Sequence, residues 1–185
     1  FTLITVRALP TDRVPDMAWL KPYVQGRSRW NIGFGLPKTP DGGAQPPTRL
    51  QLRSDLVGTQ LLMPAPMDKA PATPLATSVN VPLPVGSGRI EVAFGKLMAL
   101  AARSQGGKTG VRVVMGSDHV ADEPPASGLV VSGRTAALNA IDWIGVVSRP
   151  APNAAAANGG EDPMPLRRIE ILADHLLLLG GVFDN

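Results

Sequence analysis

The chain has 185 residues, a formal net charge of +3 and no cysteine, and its 44% hydrophobic content includes only 4% aromatics. Absent thiols exclude disulfides and thiolate metal sites, and the scattered cations (Arg49, Arg53, Arg89, Arg112) form no aromatic-laced basic stripe of the kind nucleic acid requires. Twenty Gly and nineteen Pro predict frequent turns and few long helices, so one mainly β domain spanning residues 1–185 is expected.

In chain order, Phe1–Val6 is already an apolar alternation without an initiating Met, which reads as the start of an internal segment of a longer protein. Pro15–Val24 predicts two helical turns, with Met17, Leu20 and Val24 inward and Pro22 limiting the end. Trp30, Ile32, Phe34 and Leu36 then alternate with Arg29, Asn31, Gly33 and Gly35. After a Pro37–Pro47 loop come Leu50 and Leu52, the loop Pro64–Pro74, and a strand carrying Leu75, Thr77, Val79 and Val81. Ile90, Val92 and Phe94 follow on a further strand. Ser104–Gly110 reads as a hairpin turn leading into Val111, Val113 and Met115. Beyond a Gly116–Ser127 loop lies the strand run Gly128–Gly133. A second helix is expected over Thr135–Ile144, capped by Thr135 and striped by Leu138, Ile141 and Ile144. Both predicted helices follow an apolar strand and carry a Trp near the end, a faint internal echo. Arg149–Pro165 is a low-complexity Ala/Pro/Gly stretch expected to be a flexible loop, not a domain boundary, because a strand resumes at Ile169, Ile171 and Ala173.

Catalytic signals dissolve on inspection. Gly107-Lys108-Thr109 resembles the end of a phosphate loop, but Ala102 stands where the first Gly is needed and a strand follows instead of a helix. Ser117-Asp118-His119 holds the three triad residue types, yet neighbours in sequence cannot place a base between nucleophile and orienter. Carboxylates fall in loop pairs (Asp122-Glu123, Glu161-Asp162) or singly on strands, and two histidines without cysteine make a poor zinc set. No enzyme activity, metal or cofactor is expected. No run approaches the roughly 20 apolar residues that span a bilayer, Leu176–Leu179 being far too short.

What remains is a set of strands with one apolar and one polar face, more than two short helices can cover. Two architectures satisfy that pattern: a closed β-sandwich, or an open curved antiparallel sheet with an apolar trough. Exposed apolar surface costs roughly 25 cal/mol per Å², which by itself favours the sandwich.

One further pattern bears on the choice. Ser54-Asp55-Leu56-Val57-Gly58, then Leu61 to Lys69 with its Pro64-Ala65-Pro66 core, then Pro74-Leu75, resembles the S-D-L-x-G, L-P-A-P-L-x-K and P-L signature of the YhdP family of AsmA-like Gram-negative envelope proteins. Gly26–Trp30, Pro125–Arg134, Leu138–Trp143, Leu166–Ile171 and Leu176–Gly181 are similar to further family motifs, all in the family's order. Departures are Met67, where Leu is common, and the insert at Arg149–Pro165. The resemblance implies a taco-like β-groove lined for phospholipid acyl chains, in a periplasmic segment of an inner-membrane-anchored protein whose anchor lies outside this chain. It further implies a role in phospholipid movement towards the outer membrane, and neighbouring segments of the same chain as partners. The expected lining is Trp30, Ile32, Phe34, Leu50, Leu52, Val79, Val81, Ile90, Val92 and Phe94. The alternative is a closed structural or protein-interaction module without lipid.

Overall fold

A computed structural model describes residues 3–8, 22–35, 48–147, 165–178 and 181–184. The strands are β1 (Leu3–Ala8), β2 (Val24–Gly26), β3 (Ser28–Gly35), β4 (Thr48–Ser54), β5 (Thr59–Leu61), β6 (Thr77–Leu83), β7 (Ile90–Phe94), β8 (Met98–Gln105), β9 (Lys108–Met115), β10 (Gly128–Asn139), β11 (Leu166–Leu178) and β12 (Gly181–Asp184). One helix, α1 (Ala140–Val147), follows β10. Ten strands form one sheet in the order β1-β3-β4-β6-β7-β8-β9-β10-β11-β12, and β2 with β5 forms a separate ribbon. The two ends of the large sheet do not pair, so it is an open sheet and not a barrel. A second full sheet, which a sandwich would need, is not present among the described residues.

Most neighbours are antiparallel, as the one-sided alternation predicts. The β8–β9 hairpin turns on Gly106-Gly107, both at positive φ, with Gln105 facing Lys108 across the two-residue loop. Departures from the antiparallel expectation come at β10, which is parallel to both β9 and β11. Parallel neighbours need a crossover, usually helical. Here the segment between Met115 and Gly128 makes it without a helix, as a strap across the polar face of the sheet.

Arginines hold that strap. Arg89 donates to the carbonyls of Val120 and Asp122 (3.1 Å for the latter), and Arg112 Nε donates to the carbonyl of Glu123 at 3.0 Å. Ion pairs of Arg89 and Arg103 with Glu123 (3.6 and 3.5 Å) and of Arg112 with Asp122 (3.6 Å) reinforce it. Underneath, Val120 is buried on Ala99 and Ala101, whose methyl-sized side chains let the strap lie close. Removing a mostly buried charged donor leaves partly desolvated carbonyls behind, at a cost of about 1.5–3 kcal/mol.

The second predicted helix starts five residues later than expected. Residues 134–139 instead extend β10 and pair with Leu172–Leu177 of β11, so sheet pairing overrides an Ala-rich local preference. Thr135 is no cap; its hydroxyl donates to the Ala137 carbonyl. Asn139 caps instead, accepting from the Asp142 amide at 3.2 Å, and Asp142 sits in the first turn where the helix dipole favours a carboxylate. Of the first predicted helix, residues 15–21 lie outside the described residues, Pro22-Tyr23 form a turn, and Val24 opens β2. The Pro37–Pro47 loop and residues 149–164 of the Ala/Pro/Gly stretch also lie outside them.

Arg89→Ala is expected to lower the unfolding free energy by about 1.5–3 kcal/mol, read from the midpoint of a urea transition. An unchanged midpoint would mean that Arg89 does not hold the strap.

Candidate functional site

Strand pairing sorts the sheet into transverse rows. Ile32, Leu52, Val79, Val92, Leu100, Val113, Val131 and Ile169 stand opposite one another in succession from β3 to β11. Seven steps of about 4.8 Å make this an aliphatic stripe about 34 Å long, perpendicular to the strands. A bilayer's hydrocarbon core is about 30 Å over two leaflets, so the stripe exceeds the depth of one leaflet's acyl chains, about 15 Å.

Rows of the same face flank it. On one side Phe34, Leu50 and Val81 continue through Ile90, Ala102, Val111 and Leu129. On the other lie Thr77, Phe94, Met98 and Met115, with Trp30 at the β3 end. The central row is neither buried nor solvated: the seven residues from Ile32 to Val131 are half-buried, and Ile169 is 52% exposed. A closed core would bury them, whereas an open trough leaves this intermediate state.

One lip is built up by a plug. Val24, Leu56, Leu61 and Met67 form a buried cluster with Trp30, against which Leu52, Val79, Phe94, Met98 and Trp143 pack. Thus the β2–β5 ribbon, the Pro-rich loop and α1 cover the Trp30–Met98 margin, while Phe34 on the far margin is 41% exposed. Trp143 of α1 ties the plug down by donating from Nε1 to the Ala65 carbonyl at 2.8 Å.

The motif that carried the family resemblance is the plug itself. Ser54 Oγ accepts from the Leu56 amide and Asp55 Oδ1 from the Val57 amide, both at 3.0 Å, an Asx-type turn that drives Leu56 into the cluster. Leu56 takes φ +52° there, a left-handed conformation costing a branched residue roughly 1–2 kcal/mol, offset by its burial to 3% exposure. Gly58, at φ +91°, lies so close to Arg27 that a Cβ would sit 2.4 Å from its carbonyl oxygen. Met67 is 1% exposed, so the departure from Leu is accommodated in the centre of the plug.

Lys69 closes the motif. Its buried ammonium donates to the Thr59 carbonyl at 2.7 Å and the Ala70 carbonyl at 2.9 Å. Burial pushes its pKa below the ordinary 10.5, with Asp55 opposing the shift.

All ten expected lining residues therefore fall on one face, but in two settings. Trp30 is buried beneath the plug, Leu52, Val79 and Phe94 touch it from below, and Ile32, Phe34, Leu50, Val81, Ile90 and Val92 lie along the uncovered part. Sequence reasoning missed β8 and with it Leu100, since Ala99 and Ala101 on the opposite face are as apolar as Leu100 and hide the period of two.

The tempting catalytic residues arrange themselves otherwise. Ser117 Oγ donates to the His119 backbone carbonyl at 2.7 Å, not to its ring, while the ring bonds Asp118 at 2.8 Å. That bond holds the exposed Asp118 carboxyl below its usual range. Among the described residues no three His, Asp or Glu side chains converge on a metal-sized point, and no helix is long and apolar enough to cross a membrane.

An open sheet with a long aliphatic face, one lip plugged and the other free, defines a β-groove protein. The chain belongs to the YhdP family of AsmA-like envelope proteins, its family model (YhdP protein) matching residues 4–185. No curated protein and no solved structure matches the chain.

Lys69→Met should destabilise the fold by about 1–3 kcal/mol by leaving two carbonyls unpaired. Because the folded-state pKa is lowered, the unfolded chain binds more protons between that value and 10.5. Stability of the wild type relative to Lys69→Met must therefore rise with pH across that window, as denaturant titrations at successive alkaline pH values would reveal.

Proposed function

We propose that this chain is a lipid-conducting segment: its aliphatic face receives phospholipid acyl chains and passes them along the central row, within a periplasmic protein anchored in the inner membrane. The half-buried row from Ile32 to Ile169 carries this reading. Acyl chains need continuous apolar surface and no fixed polar partner, and a row of Val, Ile and Leu offers such a surface. Family membership supports the envelope setting. Movement of phospholipid between inner and outer membranes, and through it envelope integrity, is the role that follows. Other segments of the same long chain would extend the stripe at either end of the sheet. On this reading the protein binds and guides without a chemical step, needs no cofactor, and does not engage nucleic acid.

The test is native mass spectrometry of the chain purified from a bacterial envelope, with extraction and identification of the lipid. Phospholipid should co-purify with the wild type and be lost from Val92→Glu, whose new carboxylate would stand in the middle of the row. Ile169→Glu, at an exposed end of the same row, guards against a variant that fails to fold and should weaken binding with unchanged thermal stability. Undiminished lipid in both folded variants, or a wild type that takes up no lipid after delipidation and re-exposure, would overturn the proposal in favour of a structural module.

A further inference from the structure

On the opposite, polar face of the sheet lies a cleft of about 620 Å³ that the lipid reading does not use. Its floor is the row in which Asn31 faces Arg53, Arg53 faces Ser78 and Ser78 faces Ala93. Its far wall is the start of the crossover strap at Asp118, beyond which the same row passes under Val120. The strap thus turns an open strip of sheet into a walled depression.

Three cations line it, Arg29, Arg53 and Lys96, against two carboxylates, Asp55 and Asp118. Asp55 accepts from the Val57 amide and Asp118 from the His119 ring, and Lys96 is close enough to Asp118 to help hold its carboxyl below the usual range, so the cations outnumber the carboxylates by one. The three cations share with Arg49 and Arg167, which stand outside the cleft, the lack of a carboxylate partner among the described residues, but only these three are gathered in one concavity. Arg89, Arg103, Arg112, Arg134 and Arg168 each have a carboxylate within 4 Å, whereas among the described residues Arg29, Arg53 and Lys96 have none. Like charges gathered in one concavity repel each other at a cost that a pairing carboxylate would relieve, and such a cleft focuses its field on an incoming anion.

We propose that this cleft binds a phosphate group, mono- or diester, clamped between the Arg29 and Arg53 guanidiniums with Lys96 as a further charge. Planar guanidinium forks match the oxygens of a tetrahedral anion in pairs, and the lysine supplies a mobile point charge. Ser78, opposite Arg53 on the floor, offers a hydroxyl donor. Among the described residues no aromatic side chain lines the cleft on which a base could stack, which separates a lone phosphate from a nucleic-acid strand. The phosphate could belong to an anionic lipid headgroup at a membrane surface or to a soluble phosphate ester. This site rests on the polar face alone and is independent of the acyl-chain reading.

The experiment titrates the delipidated chain with inorganic phosphate and with glycerol phosphate by calorimetry, and separately measures co-flotation with phosphatidylglycerol and phosphatidylcholine vesicles. Saturable one-to-one phosphate binding is expected, weakened about tenfold or more in Arg53→Gln and in Arg29→Gln, since a lost charge-assisted bond exceeds 1.4 kcal/mol. Lys96→Gln, in the exposed β7–β8 turn, should weaken it as well, and binding should fall as salt is raised. Arg134→Gln, whose arginine pairs with Asp174 outside the cleft, should bind as the wild type does. Flotation with phosphatidylglycerol only, competed by phosphate, identifies a headgroup site; phosphate binding without flotation identifies a soluble ester. Absence of saturable binding into the millimolar range in both arms, or equal loss in Arg134→Gln, would overturn the site.

Discussion

The fold depends on one constraint, the two-residue period of the strands, kept in register along the central row despite a shift between Leu129 and Val130 in the β10–β11 pairing. A slip of one residue at any pair would turn that strand's apolar side chains to the polar face, so each pairing must agree with its neighbours. The agreement persists where strand direction changes: Val113 of β9 faces Val131 of β10, and Val131 faces Ile169 of β11, although these pairs are parallel and the rest antiparallel. A stripe perpendicular to the strands does not depend on which way each strand runs, only on which face each residue takes.

The two faces are finished by different physics. The apolar face is only partly covered, by a plug whose turns, buried Leu56 and Met67, and Lys69 clamp give it a core of its own. That core lets the sheet remain folded although its central row stays half in water. The polar face is finished by ion pairs and by arginine bonds to backbone carbonyls, with small Ala99 and Ala101 leaving room for the strap. Exposed ion pairs contribute little individually. Arg89 differs, because it is mostly buried and its bonds end on carbonyls of a segment with no secondary structure of its own.

Legibility in the sequence followed contrast. Where apolar and polar residues alternate sharply, as in Trp30–Phe34, Val79–Val81 and Ile90–Phe94, strand and inward face are both readable. In β8 both faces are apolar, one lined with Leu100 and the other with Ala99 and Ala101, so period two vanishes and the strand was invisible. At Thr135–Asn139 the local composition favours a helix, and only the β11 partner, nearly forty residues away, makes it a strand. Parallel pairing was equally hidden, since one-face alternation is identical in both directions. The family motif marked a region and not its purpose: Ser54, Asp55, Gly58 and Lys69 serve to seat the plug, a role visible only once the turn and its carbonyl partners are in place.

The plug also gives the trough its asymmetry. Trp30, Phe94 and Met98 lie beneath it and Phe34 stands clear of it, so the aromatic side chains of this face sit at the margins while the central row holds only Val, Ile and Leu. Aliphatic side chains present a surface without the directional preferences of an aromatic ring and without any hydrogen-bonding group. An apolar chain sliding along such a row exchanges one methyl contact for another of similar depth, each worth about 0.1–0.2 kcal/mol per atom pair. A tight pocket would hold such a chain in one place; a uniform row lets it shift without crossing a deep minimum. Uniformity along the stripe, more than affinity at any point of it, is the property that the common register confers.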